Sequence, residues 1–171
     1  MNETMQTLLS RRSTKAYLDT PVPEEILDQV LQAGLYAPTG RNNQDVICVA
    51  VTNKGIRDQL SKMNASVMGV DSDPFYGAPC VIVVLGDAET YPVVENGSLV
   101  LGNLMNAAHV VGLGSCWIHR AKQMFETDEG KELLRKWGLK ESLVGVGNCI
   151  LGYPDEEPVA RPRLDGRIVK I

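Results

Sequence analysis

Three cations fall within five residues at Arg11-Arg12-Ser13-Thr14-Lys15, with two hydroxyls between them. A phosphate dianion matches such a set, because an arginine fork takes two oxygens at once and lysine adds a point charge. The same cations could instead complement the negative end of a helix over residues 3–11. Residue type alone leaves both readings open.

A second polar segment is Pro38-Thr39-Gly40-Arg41-Asn42-Asn43-Gln44, which leaves a helix and enters a strand. Ligand loops commonly sit at such junctions. The amides of Asn42 and Gln44 both donate and accept, which suits the C=O and N–H edge of a heterocycle, although the same residues are ordinary turn formers. A third segment runs Gly112-Leu113-Gly114-Ser115-Cys116-Trp117-Ile118-His119-Arg120. Its glycines let backbone approach a flat ligand. It is neither a G-x-G-x-x-G fingerprint nor a P-loop. His119 could serve as an acid or base, or hold structure; His109 reads as a satisfied core residue.

Hydrolytic chemistry finds no footing. Ser115 lacks the G-x-S-x-G elbow, and Glu24-Glu25 and Glu156-Glu157 read as solvated surface. An enzyme built on this chain would draw its chemistry from a cofactor.

The elements that must position these residues alternate along the chain. Met5, Leu8 and Leu9 share one face of a helix over 3–11, with Asn2 or Thr4 as its cap. A second helix opens at Glu24-Glu25 and stops before Pro38. A strand follows at 46–52, then a helix marked by Ile56, Leu60, Met63 and Val67. Residues 80–86 are apolar throughout, as in a strand covered on both faces. Residues 95–111 form a helix apolar on most faces, so it must be buried in the chain or against a partner. A strand then opens at Ser115-Cys116-Trp117-Ile118. One helix is expected over 121–137, stopped by Gly138, and a last strand over 144–151. The tail from Tyr153 carries Pro154, Pro158 and Pro162 and closes on the short run Ile168-Val169.

With 171 residues, this is one α+β or α/β domain without a linker. A net charge of -4 argues against a broad nucleic-acid surface. No apolar run is long enough to cross a bilayer, and the N-terminus lacks signal-peptide character, so a cytoplasmic location is expected. Cys48, Cys80, Cys116 and Cys149 are widely spaced within apolar runs, which predicts core packing rather than a metal site.

Taken together, these segments resemble the nitroreductase family of FMN-dependent oxidoreductases. Arg11–Lys15 followed by Ala16-Tyr17, the loop Ala37–Gln44, the segment Gly112–Ile118, and Leu151-Gly152-Tyr153-Pro154 followed by Arg161 and Arg163 stand in that family's order and spacing. The resemblance implies an α/β/α fold: a mixed sheet flanked by helices, in an intertwined homodimer. Residues 1–171 would form one FMN-binding domain, with 154–171 as a tail extending onto the partner. It implies that Arg11, Ser13 and Arg163, helped by Arg12 and Arg161, bind the FMN phosphate. Lys15 would lie near the N1–C2=O edge of the flavin as the residue tuning its electrostatics. Pro38, Thr39, Gly40 and Asn42 would come from the partner subunit, with Gln44 close by. Backbone N–H groups near Ile118, His119 and Arg120 would approach flavin N5. NADH or NADPH would donate hydride, and nitroaromatics, quinones or similar electrophiles would accept electrons by a ping-pong route. The alternatives are a flavin-binding carrier or sensor without turnover, or a reductive dehalogenase on the same fold. Where relatives often carry Pro-Trp after the glutamine, this chain has Asp45-Val46. No helical insertion follows the third segment, which implies an open substrate pocket.

Overall fold

The computed structural model describes residues 1–171. In chain order the elements are α1 (Glu3–Ser10), α2 (Glu24–Leu35), β1 (Val46–Val51), α3 (Lys54–Met68), β2 (Cys80–Asp87), α4 (Val93–Val110), β3 (Gly114–Ile118), α5 (Ala121–Glu126), α6 (Asp128–Lys136) and β4 (Leu143–Gly152). Asn2 caps α1, its side chain accepting from the Met5 N–H at 3.0 Å. Asn53 does the same for α3 through Ile56 N–H, and Gly69 closes that helix in the left-handed conformation.

The strands form one sheet in the order β1-β2-β4-β3, and every ladder is antiparallel. Its parallel component is the bridge between Ser13 and Ser115, which lays the cation-rich segment along the outer edge of β3. The alternation of β2 explains the layers. Cys80, Ile82 and Val84 face one core with Val30, Val100, Leu101 and Leu104, beneath α2 and α4. Val81, Val83 and Leu85 face the other with Leu60, Met63, Met124, Phe125 and Leu134, beneath α3, α5 and α6. A strand buried on both faces cannot show polar alternation, hence its continuous apolar run. The result is the expected α/β/α sandwich.

Pairing slips once, between Val84 and Leu85, which face Gly147 and Gly145. Val146 is the extra residue of this bulge, and it joins the α4 side of the core. The cysteines pack as free thiols, with Cys80 and Cys149 buried in the α4-side core and Cys116 in the other. Burial pushes the Cys48 thiol up to about 11 and that of Cys80 to about 12.

One expectation needs correction. Residues 121–137 are not one helix. Thr127 is extended (φ -74°, ψ 159°), its hydroxyl donating to the Met124 carbonyl at 2.7 Å and accepting from Gly130 N–H at 3.0 Å. It ends α5 and caps α6 in one residue, the threonine-then-acidic-turn signature of a helix start. The apolar face of α1 that the spacing predicts is present, and Met5, Leu8 and Leu9 are exposed on it.

Candidate functional site

The two arginines after α1 take different roles. Arg12 Nη1 donates to the carbonyls of Leu9 at 2.8 Å and Arg11 at 2.7 Å, so its charge covers the negative end of the helix. Arg11 Nη1 is buried and has no partner. Such an orphaned charged donor is unusual in a folded interior. It borders a cavity of about 350 Å³. Ser10, Arg12 and Thr14 contribute from the first segment, Gly112 to Ser115 from the third, His109 from the end of α4, and residues 154 and 156–158 from the tail. The Thr14 N–H donates to the Ser115 carbonyl at 3.0 Å, fixing the first segment against the third. Gly114 makes this approach possible, because a Cβ there would meet Thr14 Oγ1 at 2.6 Å.

Lys15 stands on the exposed side of this bridge. Its N–H donates to the Glu156 carboxylate, and its ammonium lies 5.4 Å from the centre of the Tyr76 ring. Tyr76 sits in a turn organised by Asp73. That carboxylate accepts from Arg57 Nη2 at 2.6 Å, from the N–H groups of Phe75 at 2.8 Å and Gly77 at 2.7 Å, and from the Ser61 hydroxyl. Burial opposes its ionisation, yet these donors together hold Asp73 below the ordinary carboxylate range. Behind Lys15, the Tyr17 hydroxyl donates to the Thr14 carbonyl at 2.7 Å. Burial raises its pKa, with Cys116, Cys149 and Glu156 adding to the shift.

The loop Pro38–Gln44 lies elsewhere. Arg41 (φ 55°), Asn42 (φ 55°) and Gln44 (φ 52°) are all left-handed. Such residues persist only where their surroundings over-determine them. Asn96, at the first turn of α4, supplies that support. It accepts from the Gly40 N–H at 2.8 Å and donates to Asp45 at 3.0 Å and Asn43 at 3.4 Å. The Arg11 cavity adjoins the other end of the same helix, where His109 Nε2 and Ser10 Oγ are 2.7 Å apart. Asn96 and His109 are about 20 Å apart at the rise of an α-helix. Within one chain, therefore, the loop and the cavity are separate.

The profile of the nitroreductase family matches residues 8–74. The FMN reductase [NAD(P)H] of Bacillus subtilis (strain 168) is 25% identical over 181 residues, covering 96% of this chain and 71% of the relative. An FMN-dependent nitroreductase from Clostridium difficile R20291 superposes with a TM-score of 0.80 at 28% identity, covering 98% of each chain. A nitroreductase with bound FMN from Bacteroides fragilis NCTC 9343 superposes over 100% of both chains with a TM-score of 0.92 at 24% identity. The chain is similar to nitroreductases in fold along its whole length and in sequence over residues 8–74.

Arg161 and Arg163 are exposed on the tail and do not line the Arg11 cavity. Ser13 is exposed beside it, across the bridge from Ser115. Ile118 is buried at the end of β3, His119 is exposed, and Arg120 (φ 76°) starts α5. The structure thus gathers Arg11, Arg12, Ser13 and Lys15 with the glycine segment, and leaves Pro38–Gln44, Arg161 and Arg163 apart. Sequence reasoning missed Asn96, which holds the loop, and placed His109 in the core although it borders the cavity. A lone asparagine or histidine in a long apolar helix was the available signal.

Proposed function

We propose that the chain is an FMN-dependent oxidoreductase that takes electrons from NADH or NADPH and passes them to small electrophiles such as nitroaromatics or quinones. The orphaned Arg11 nitrogen in its cavity carries the reading. A guanidinium nitrogen buried without a partner favours an anion, and a phosphate monoester would satisfy it. The cavity also holds a stand-in, because a Glu156 carboxylate oxygen accepts the Lys15 N–H that a phosphate oxygen could take. Names of relatives support the same cofactor: an FMN reductase [NAD(P)H] and an FMN-dependent nitroreductase.

Bound FMN would supply two-electron transfer, accepting hydride from the nicotinamide and delivering electrons to the acceptor at one face in alternating half-reactions. Arg11 and Ser13, with Arg161 and Arg163 of the tail, would hold the phosphate. Lys15 would place positive charge where negative charge develops at the N1–C2=O edge, and the Tyr76 ring steadies that ammonium. The amides of His119 and Arg120 would face N5.

A homodimer completes this site. The cavity and the loop Pro38–Gln44 lie at opposite ends of α4, so a two-fold axis across that helix would bring one chain's loop to its partner's cavity. The uncovered apolar residues of α1 and α4, among them Leu8, Leu9, Leu99 and Val110, supply the surface for it. The tail beyond residue 158 would cross to the partner, carrying exposed Leu164, Ile168 and Val169 to cover. Four unpaired thiols fit a cytoplasmic location. A visible spectrum of the purified protein, followed by anaerobic addition of NADH or NADPH, tests the proposal. Flavin absorbance that bleaches and returns with nitroaromatic or quinone supports turnover. Absorbance that never bleaches indicates a carrier or sensor, and its absence removes FMN from the account.

A further inference from the structure

Two asparagines hold the corner between β3 and α5 from inside the protein. Asn64 of α3 and Asn148 of β4 are both fully buried. Asn64 Nδ2 donates to the His119 carbonyl at 2.7 Å, and Asn148 Nδ2 donates to the Ile118 carbonyl at 3.3 Å. Both amide nitrogens also rest against the Met124 sulfur, at 3.2 Å and 3.6 Å. Each side chain leaves its own Oδ1 buried without a partner. A half-satisfied carboxamide in an apolar layer is destabilising, and leucine, of similar size, would avoid that penalty. Packing does not account for either residue.

The peptide planes show what the pair accomplishes. The one cis bond in the chain is Tyr91–Pro92, so the units 118–119 and 119–120 are trans. In a trans unit the N–H points opposite to the C=O. With the carbonyls of Ile118 and His119 drawn inward, the N–H groups of His119 and Arg120 face outward. No turn or loop carbonyl of the chain takes either of them. Arg120 is left-handed at φ 76°, a conformation that the inward hydrogen bonds help to hold.

We infer that Asn64 and Asn148 are positioning residues that present the His119 and Arg120 amides as a fixed pair of donors to the N5 edge of the flavin. The inference rests on the FMN reading above and assigns the residues that make those amides available. N5 accepts a hydrogen bond through its lone pair in the oxidised cofactor, and accepts less well once it carries hydrogen. Donors fixed here therefore favour the oxidised form, and loosening them raises the reduction potential.

The test uses the full chain, FMN labelled with ¹⁵N at N5, and the variants Asn64→Leu and Asn148→Leu. On adding FMN to ¹⁵N-labelled wild type, the His119 and Arg120 amide signals should move. In the variants the N5 resonance should shift toward that of free FMN. FMN affinity should fall about 3- to 10-fold, the scale of one net hydrogen bond. The potential should rise, while the urea midpoint holds or rises because the orphaned Oδ1 is gone. Alanine at either position carries the same spectroscopic readouts if leucine fails to fold. Wild-type binding of FMN without movement at His119 and Arg120, or an unchanged N5 resonance in the variants, overturns the inference and leaves the FMN reading standing. Wild type that binds no FMN overturns the FMN reading and this inference with it.

Discussion

Asn96 Oδ1 accepts the Gly40 N–H at 2.8 Å, so the loop before β1 hangs from the first turn of α4. The contact spans 56 residues of sequence and is tight, since a Cβ on Gly40 would meet Pro92 Cδ at 2.7 Å. The same carboxamide reaches Asp45 and Asn43, so one buried side chain holds both shoulders of a loop with three left-handed residues. Loop strain and helix packing are thereby joined at a single residue.

Asn96→Ala should consequently act on stability and on the loop together. It leaves the Gly40 N–H without its acceptor and Asp45 without a donor, which predicts a loss of about 1–3 kcal/mol in urea unfolding. FMN affinity should fall as well if the loop reaches the partner's site. A variant as stable as wild type would show that the loop keeps its shape unaided.

Arg11→Ala should cost about 1.5–3 kcal/mol of FMN affinity, the scale of a charge-assisted hydrogen bond. Arg12→Ala should affect helix α1 more than the flavin, because its nitrogen already serves the carbonyls of Leu9 and Arg11. Equilibrium titration of apoprotein with FMN separates the two. Equal losses would contradict the division of roles between neighbouring arginines.

What could be read from sequence, and what could not, divides by range of interaction. The all-apolar run of β2 and the period of α2 record local burial, and both elements form where periodicity places them. The break at Thr127 was also locally written, as a threonine before Asp128 and Glu129, but the apolar spacing across it resembled one longer helix. The bulge at Val146 leaves no such trace, because a slip of pairing depends on the neighbouring strand. Among site residues, the cation cluster was visible as chemistry, yet residue type could not say which arginine caps the helix. Asn64, Asn96 and Asn148 act on backbone groups 30–56 residues away, so spacing carried no sign of them.

Asp73 should make the protein acid-sensitive. Its pKa is lowered on folding, so its stabilising contribution is fully present above the unfolded carboxylate value and is lost as pH falls through the folded one. The expected loss therefore begins near pH 4 and continues below it. Asp73→Asn should weaken that acid dependence and lower neutral-pH stability by about 1–3 kcal/mol, since Arg57 loses a charged partner. Urea unfolding at several pH values measures both effects. An unchanged acid limb would remove Asp73 from the explanation.

Assembly can be separated from folding by cutting inside the tail. The Asp155 N–H donates to the Ala16 carbonyl at 2.9 Å, and Tyr17 bridges Pro154, so the first tail residues belong to the fold. Deleting residues 158–171 preserves those contacts. Wild type should sediment as a dimer, and the truncated chain should weaken dimerisation and lose FMN. A truncated protein that remains dimeric and fully loaded would contradict the shared site.

Lys15 offers the sharpest test of chemistry. Its ammonium is exposed, steadied by the Tyr76 ring 5.4 Å away, and joined to the Arg11 segment through its own backbone. Two-electron reduction places about a unit of negative charge on the flavin edge that Lys15 would face, where oxidised flavin is neutral. A unit pair at 4 Å interacts by about 4 kcal/mol at an effective dielectric of 20, and exposure reduces this to roughly 1–2 kcal/mol. Lys15→Ala should therefore lower the two-electron potential by about 20–40 mV. Reduction by NADH or NADPH should slow, while most FMN remains bound through Arg11. Tyr76→Leu should shift the potential in the same direction but less, because the cation stays and only its position loosens. Lys15→Arg should be milder than alanine without restoring wild type, since a planar fork distributes the charge differently. The sign is diagnostic, because loosening the amides of His119 and Arg120 raises the potential whereas removing Lys15 lowers it. A dye-coupled redox titration with stopped-flow reduction reads both quantities. An unchanged potential in Lys15→Ala at full FMN content would leave Lys15 as a surface cation stacked on a tyrosine.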